Sequence, residues 1–116
     1  AYLFTPQSLV SDLHRAALRA AGDDQTALTN LFSGRPARGL LNRVMREKGP
    51  MSDMTPPFPT AGGALAPLKA KAEAEGKAEF SSLWSGQAAA LGQEIDAGDL
   101  TLRLSEDAAR RLKALA

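Results

Sequence analysis

SGRPARG, at residues 33–39, leads directly into LLNRVMRE at residues 40–47. Gly34 permits a tight turn, and Pro36 has the φ angle that suits the first turn of a helix. We therefore predict an amphipathic helix over Pro36–Lys48 that ends at Gly49-Pro50. The apolar face of this helix would consist of Leu40, Leu41, Val44 and Met45.

Arg35 and Arg38 would stand at the start of that helix as a rigid cationic entrance, where free backbone N–H groups and the helix dipole favour negative charge. One interpretation is an anion or phosphate contact. The other is structural, because guanidinium groups often tie a segment to carboxylates or carbonyls, here of a neighbouring domain. We favour the structural interpretation and keep the anion contact open. Nucleic acid is disfavoured because no aromatic residues alternate with these charges.

The composition excludes several classes of site. The 116 residues include no cysteine and one histidine, so this chain cannot form a disulfide, a thiolate metal site or a pair of histidine ligands. The net charge of +1, from 14 basic and 13 acidic residues, creates no field that would attract nucleic acid or an anionic membrane. No apolar run approaches the length of a membrane span. We expect a cytoplasmic protein.

Before the SGRPARG stretch, the pattern predicts one β/α unit. Ala1–Phe4 is expected to be a short buried strand, and a helix would follow from Ser11 to a glycine stop at Gly22. Thr26–Phe32 is predicted to be a second short extended segment. Because a lone strand leaves its backbone groups unpaired, a chain that begins at once with a strand is expected to be a fragment of a longer protein.

After that stretch, the pattern predicts a loop and three helices. The loop at residues 51–59 contains three prolines and is expected to pack through Met54 and Phe58. An alanine-rich helix over Gly62–Glu75 would turn Leu65 and Leu68 inward. A further helix would run through Ile95, and a last helix would start at Ser105-Glu106-Asp107. The inner side of this last helix would consist of Ala108, Leu112 and Leu115.

The candidate functional residues are few. His14, the only histidine, is expected to be a partly exposed surface residue without a catalytic role. Trp84 is expected to be part of the core with Phe80 and Leu83. Gly86 and Gln87, which follow, are weak candidates for a cofactor contact, because a glycine lets the backbone approach a ligand and an amide can donate or accept. We predict no catalytic residue and no metal site in this chain.

Several motifs, in this order, strongly resemble the C-terminal part of class I nitronate monooxygenases, also called 2-nitropropane dioxygenases. They are AYLF at 1–4, LHRAAL at 13–18, TALT at 26–29, SGRPARG at 33–39, PFP at 57–59 and LWSGQ at 83–87. The resemblance implies an α-rich fragment of an α/β protein, a TIM-type (β/α)₈ barrel with a C-terminal helical cap. Residues 1–22 would be the last barrel strand and the following helix, and residues 23–116 would form the cap.

The resemblance also implies an activity for the intact enzyme. It would oxidise alkyl nitronates with FMN and molecular oxygen to a carbonyl compound and nitrite. In such enzymes the turn that holds the FMN phosphate would precede Ala1, and His14 does not match the motif of the catalytic base. FMN would therefore be bound mainly by the missing upstream part. The implied partners are a nitronate, O₂ and the rest of the barrel, and this chain alone is expected to be inactive.

Two other functions stay open at this point. One is a free-standing helical interaction module that binds an acidic partner through Arg35 and Arg38. The other is part of a flavin-dependent enoyl reductase, because related enzymes share parts of these motifs.

Overall fold

Two compact units make up the part of the chain that the computed structural model describes, residues 1–115. The larger unit is Ser11–Ala90, and the smaller one combines Ala1–Val10 with the chain from Leu91 onward. The helices are α1 (Asp12–Ala20), α2 (Arg43–Lys48), α3 (Ala61–Ala74) and α4 (Ala97–Leu115), and the strands are β1 (Thr26–Thr29) and β2 (Ala37–Leu40). Single 3₁₀ turns occupy Tyr2–Phe4 and Ala89–Leu91. The predicted α-rich character is confirmed.

The sheet of the larger unit is a hairpin with a third segment on its outer edge. β1 and β2 are antiparallel, and their register runs from Thr26 opposite Leu40 to Thr29 opposite Ala37. On the other edge of β2, Gly39 forms a bridge with Trp84, and the Leu40 N–H donates to the Leu83 carbonyl at 2.8 Å. β2 is therefore bonded on both edges. Of the extended segment predicted over Thr26–Phe32, Thr26–Thr29 is confirmed as β1, and residues 30–32 form a turn instead.

The predicted helix over Pro36–Lys48 is wrong in its first half. Residues 37–40 are strand, and α2 begins only at Arg43, after the cap residue Asn42. The physical reason is that pairing on both edges of β2 satisfies its backbone N–H and C=O groups, and this pairing outweighs the local preference for helix. The cationic helix entrance is therefore not formed, because Arg35 precedes β2 and Arg38 lies within it. The predicted end of the helix is confirmed, since Gly49 caps α2.

The core of the larger unit lies between the hairpin and α2. Its buried cluster consists of Leu31, Phe32, Val44 and Met45, with Ala27, Leu41, Leu65, Phe80 and Trp84 packed against it. The rings of Phe32 and Trp84 meet edge to face, with centroids 5.7 Å apart. The prediction that Trp84 and Phe80 contribute to the core is confirmed. Each fully buried aliphatic side chain of such a core stabilises the fold by about 1.5–3 kcal/mol.

Some predicted packing contacts are wrong. Met54 is 85% exposed and Phe58 is 51% exposed, so neither side chain of the loop at 51–59 belongs to the buried core. Asn30 holds this loop instead, because its side chain donates to the Ser52 carbonyl and accepts from the Ser52 N–H. α3 forms where it was predicted, but Leu68 is half exposed and Ala72 is buried in its place.

α1 begins as the sequence predicts. The Ser11 side chain accepts a hydrogen bond from the His14 N–H at 3.2 Å, which is the usual N-cap interaction. Leu18 is the buried residue of this helix. The helix ends with Ala21 in an extended conformation, one residue before the predicted stop at Gly22.

In the smaller unit, the strand predicted at Ala1–Phe4 is wrong, because Tyr2–Phe4 is a 3₁₀ turn. Within the described residues the sheet contains only β1 and β2, which pair with each other. The turn satisfies its backbone locally, with the Thr5 N–H donating to the Tyr2 carbonyl at 3.0 Å. A lone extended segment would have left these groups without partners.

The predicted boundaries of the later helices are also wrong. The helix expected through Ile95 is reduced to the 3₁₀ turn at Ala89–Leu91. α4 begins at Ala97, because the Asp96 carboxylate accepts from the Gly98 N–H at 2.7 Å and the Gln7 side chain accepts from the Ala97 N–H. The bond from the Gly98 N–H, together with a hydrogen bond that the Gln7 amide donates to the Asp96 carboxylate, lowers the pKa of Asp96. The expected inner face of Ala108, Leu112 and Leu115 is exposed. No helix within residues 1–115 is long and apolar enough to span a membrane.

Gly34→Ala tests the turn before β2. Gly34 has φ +87°, and a Cβ there would lie 2.4 Å from the Phe58 backbone nitrogen. We expect this change to lower the free energy of unfolding, by about 1–3 kcal/mol for the backbone conformation alone, as measured by denaturant titration. Gly63→Ala is the matched control, because its Cβ would meet nothing within 4 Å, and it should raise stability by up to about 1 kcal/mol. Equal effects of the two changes would contradict this account of the turn.

Candidate functional site

The two motifs with the most specific sequences, SGRPARG and LWSGQ, come together in the sheet. Gly39 and Trp84 form the bridge, and a Cβ on Gly39 would lie 3.0 Å from the Leu83 carbonyl oxygen. The Ser85 N–H donates to the Arg38 carbonyl at 3.2 Å. The motifs are thus two neighbouring extended segments of one layer, and glycine at position 39 allows their close approach.

The side chain of His14, on α1, contacts the LWSGQ segment as well. Its Nε2 lies 2.9 Å from the Trp84 carbonyl oxygen. Because a carbonyl can only accept, Nε2 carries the proton and donates it to this bond. Burial lowers the pKa of His14 below its ordinary value, and the hydrogen bond to Trp84 opposes that effect in part. The imidazole is therefore neutral at pH 7. His14 is partly exposed, as predicted, and it also has a specific partner that sequence analysis missed.

Arg35 and Arg38 have partners within the larger unit. Arg38 is half-buried, and its Nη1 donates to the Thr26 hydroxyl at 3.0 Å. The Arg35 guanidinium lies over the Phe58 ring, 4.4 Å from its centroid. Within residues 1–115 neither guanidinium forms an ion pair. Their assignment as structural groups or as an anion contact stays a prediction.

Gly86 and Gln87 lie where the chain leaves the sheet. Both are exposed, and a Cβ on Gly86 would meet no atom within 4 Å. The Ser85 hydroxyl donates to the Gly86 carbonyl at 2.9 Å, which leaves an uncharged, open segment next to the buried Ser85. Such a segment could approach a ligand closely. Its role as a cofactor contact stays a prediction.

Sequence analysis missed Asn42, whose side chain makes three hydrogen bonds in this region. It is buried, and its oxygen accepts from the Met45 N–H at the start of α2. Its amide nitrogen donates to the carbonyls of Ala78 at 3.2 Å and Ser81 at 2.8 Å. Asn42 therefore ties α2 to the chain that leads into the LWSGQ motif. An asparagine directly before a helical pattern is a known N-cap signal, but the predicted helix start at Pro36 obscured it.

The described residues do not by themselves fit a metal ion or a flavin. Within residues 1–115 there is no group of three or more His, Cys, Asp or Glu side chains that could hold a metal. In the same residues no buried side-chain nitrogen or oxygen lacks a hydrogen-bond partner. A flavin phosphate needs several free donors at one point, and the arginines nearest to the motifs are already engaged.

Comparisons with known proteins agree on one family. The family model described as nitronate monooxygenase matches residues 1–107. The nitronate monooxygenase of Pseudomonas aeruginosa is 36% identical over 108 residues, which cover 92% of this chain and 31% of that protein. The probable nitronate monooxygenase of Bacillus subtilis is 31% identical, with the same coverage of each chain.

The fold agrees with a solved relative as well. A crystal structure of a nitroalkane oxidase from Streptomyces ansochromogenes matches with a TM-score of 0.82 and 35% identity, over 100% of this chain and 33% of that one. This chain thus spans about a third of the length of the relatives that it matches.

Asn42→Asp tests the polar junction between α2 and the LWSGQ motif. The change keeps the cap on α2 but points a carboxylate oxygen at the Ala78 and Ser81 carbonyls in a buried site. We expect the free energy of unfolding to fall by at least about 3 kcal/mol. The control is Ser11→Asp, because Ser11 is an exposed cap whose side chain accepts from the His14 N–H as an aspartate would, and stability should change little. If Asn42→Asp lowered the free energy of unfolding as little as Ser11→Asp does, the stabilising role of Asn42 would be limited to capping α2.

Proposed function

Because this chain belongs to the nitronate monooxygenase family, we propose that it is part of an enzyme that oxidises alkyl nitronates with O₂ to a carbonyl compound and nitrite. The observation that carries the proposal is the match of residues 1–107 to the family model, which includes all the motifs up to LWSGQ. FMN would be the cofactor, held mainly by parts of the enzyme outside these residues. In this proposal the catalytic base would also lie outside these residues.

The role of this chain within the enzyme would be structural and positional. We propose that residues 1–22 lie on the barrel side and residues 23–116 form the helical cap that closes the mouth of a (β/α)₈ barrel. In this proposal the rest of the enzyme would cover apolar side chains that are exposed here, such as Leu9, Met54 and Leu91.

The substrate could also be a neutral nitroalkane. The Streptomyces relative is named as a nitroalkane oxidase, and this chain matches it over its whole length. A nitronate and a nitroalkane differ by one proton. The rate of oxidation is therefore measured with each form at a pH where that form is stable, and the two rates are compared. The free-standing module loses its structural basis, because Arg35 and Arg38 do not form a helix entrance.

The first test is the activity of the intact protein. We expect the protein from the complete gene to purify with bound FMN, and to take up oxygen and release nitrite when an alkyl nitronate is added. Residues 1–116 alone should bind no FMN, because the flavin-binding parts lie elsewhere. Flavin absorbance, oxygen uptake and a nitrite assay measure these results. A flavin-free intact protein without nitronate-dependent oxygen uptake would overturn the proposed function.

The second test concerns Gln87, which we place near the mouth of the barrel with Gly86. In the intact enzyme, Gln87→Ala should lower kcat/KM for the nitronate by about tenfold or less, the loss of one hydrogen bond, without changing the melting temperature. Steady-state kinetics and thermal unfolding measure the two effects. Gln93→Ala, a change of an exposed glutamine in the smaller unit, is the control and should leave the kinetics unchanged.

Arg38→Ala should show the opposite behaviour in the same assays. The guanidinium bond to Thr26 is half-buried, so its loss should lower the free energy of unfolding by about 1–3 kcal/mol. The kinetics for the nitronate should change less than in Gln87→Ala. Unchanged stability with a collapse of substrate or FMN affinity would favour the anion contact at Arg38.

A further inference from the structure

We propose that His14 is a positioning residue, which fixes the Trp84–Ser85 peptide group and thereby the orientation of the exposed Gly86–Gln87 segment at the reaction site. The inference rests on the proposed function, because it assigns a role within that same site. Its basis is that the carbonyl and the N–H of the Trp84–Ser85 peptide group are both hydrogen-bonded. The Trp84 carbonyl accepts from His14 Nε2 at 2.9 Å, and the Ser85 N–H donates to the Arg38 carbonyl at 3.2 Å.

The two bonds come from opposite edges of the segment. In a trans peptide the C=O and the N–H point in opposite directions, so Arg38 of β2 lies on one edge and His14 of α1 on the other. The Leu83 carbonyl, which accepts from the Leu40 N–H, shares the edge with β2. The Trp84 carbonyl faces away from the hairpin, and no strand within residues 1–115 pairs with it there. His14 supplies the donor that a neighbouring strand would supply in a wider sheet.

The fixed peptide is the last point at which the sheet holds this segment. Ser85 is buried and is the final residue that bonds to β2, whereas Gly86 and Gln87 are exposed. The orientation of the Trp84–Ser85 plane therefore determines the direction in which the chain leaves the sheet. A rotation of this plane would move the Gln87 amide relative to any ligand beside it.

His14 is suited to this task because it is itself held and carries no charge at neutral pH. It lies in the first turn of α1, where its N–H bonds to the Ser11 side chain. Burial lowers the pKa of His14, so the donor is a neutral imidazole, and no charge is added next to the segment. Its partner lies 70 residues away in the sequence, so the bond joins two separate parts of the larger unit.

The experiment compares two variants of the intact flavin-loaded enzyme, His14→Gln and His14→Met. The glutamine amide places a donor close to the position of Nε2, whereas methionine fills similar space and has no donor. We expect His14→Met to raise KM for the nitronate by about two- to tenfold, the range for one hydrogen bond, with a smaller change in kcat. Hydrogen exchange of the peptide that covers residues 84–91 should become faster by a similar factor. His14→Gln should restore both quantities to within about twofold of the wild type.

A control separates positioning from general loss of stability. Asn30→Ala removes the hydrogen bonds that hold the loop at 51–59, in the same unit, and should lower stability without changing KM or exchange at residues 84–91. Equal behaviour of His14→Met and His14→Gln would overturn the inference. A folded His14→Gln variant together with an unfolded His14→Met variant would also overturn it, because that result indicates a purely structural role. An unfolded His14→Gln variant would overturn it as well.

The two proposals fail in different ways. If the wild-type enzyme does not oxidise nitronates, the proposed function fails, and hydrogen exchange at residues 84–91 still decides whether His14 holds the segment. If the wild type is active and His14→Met has normal KM and normal exchange, only the role of His14 is wrong.

Discussion

The close approach between β2 and residues 83–85 is the constraint on which the rest of the larger unit depends. Gly39 permits it, because a Cβ would lie 3.0 Å from the Leu83 carbonyl oxygen, which is already engaged by the Leu40 N–H. The contact turns a two-stranded hairpin into the centre of a three-segment layer. It also brings Trp84 onto the ring of Phe32, so the same contact builds the core. A hairpin alone would be marginally stable in water.

Two asparagine side chains, buried Asn42 and part-buried Asn30, hold the connecting segments of the larger unit. Asn42 joins the start of α2 to the carbonyls of Ala78 and Ser81. Asn30 holds the loop at 51–59 because its side chain bonds to both the N–H and the carbonyl of Ser52. This arrangement suits an alanine-rich chain, because its helices bury little apolar area per residue. Order in the connecting segments therefore depends on polar bonds whose partners must all be present.

The surface of this chain suits a role as a part of a larger enzyme. Leu102, Leu112 and Leu115 on α4 are exposed, and so is Met54 in the loop at 51–59. In the proposed enzyme the remaining two-thirds of the protein would cover such side chains and supply the flavin site. The functional contribution of this chain would then be to place one uncharged segment, Gly86–Gln87, at a defined position rather than to supply reacting groups.

The sequence by itself determined the features that depend on near neighbours along the chain: the family motifs, the cap of α1 at Ser11, the extended residues of β1 and the end of α2 at Gly49. It also placed Trp84 in the core, because a large apolar ring has few alternatives. Only the tertiary structure decided that residues 37–40 are strand, that the Asn42 amide donates to the Ala78 and Ser81 carbonyls, and that His14 contacts the Trp84 carbonyl. Each of these depends on hydrogen-bonding groups that lie 36 to 70 residues away or across the sheet, and local propensity contains no information about them.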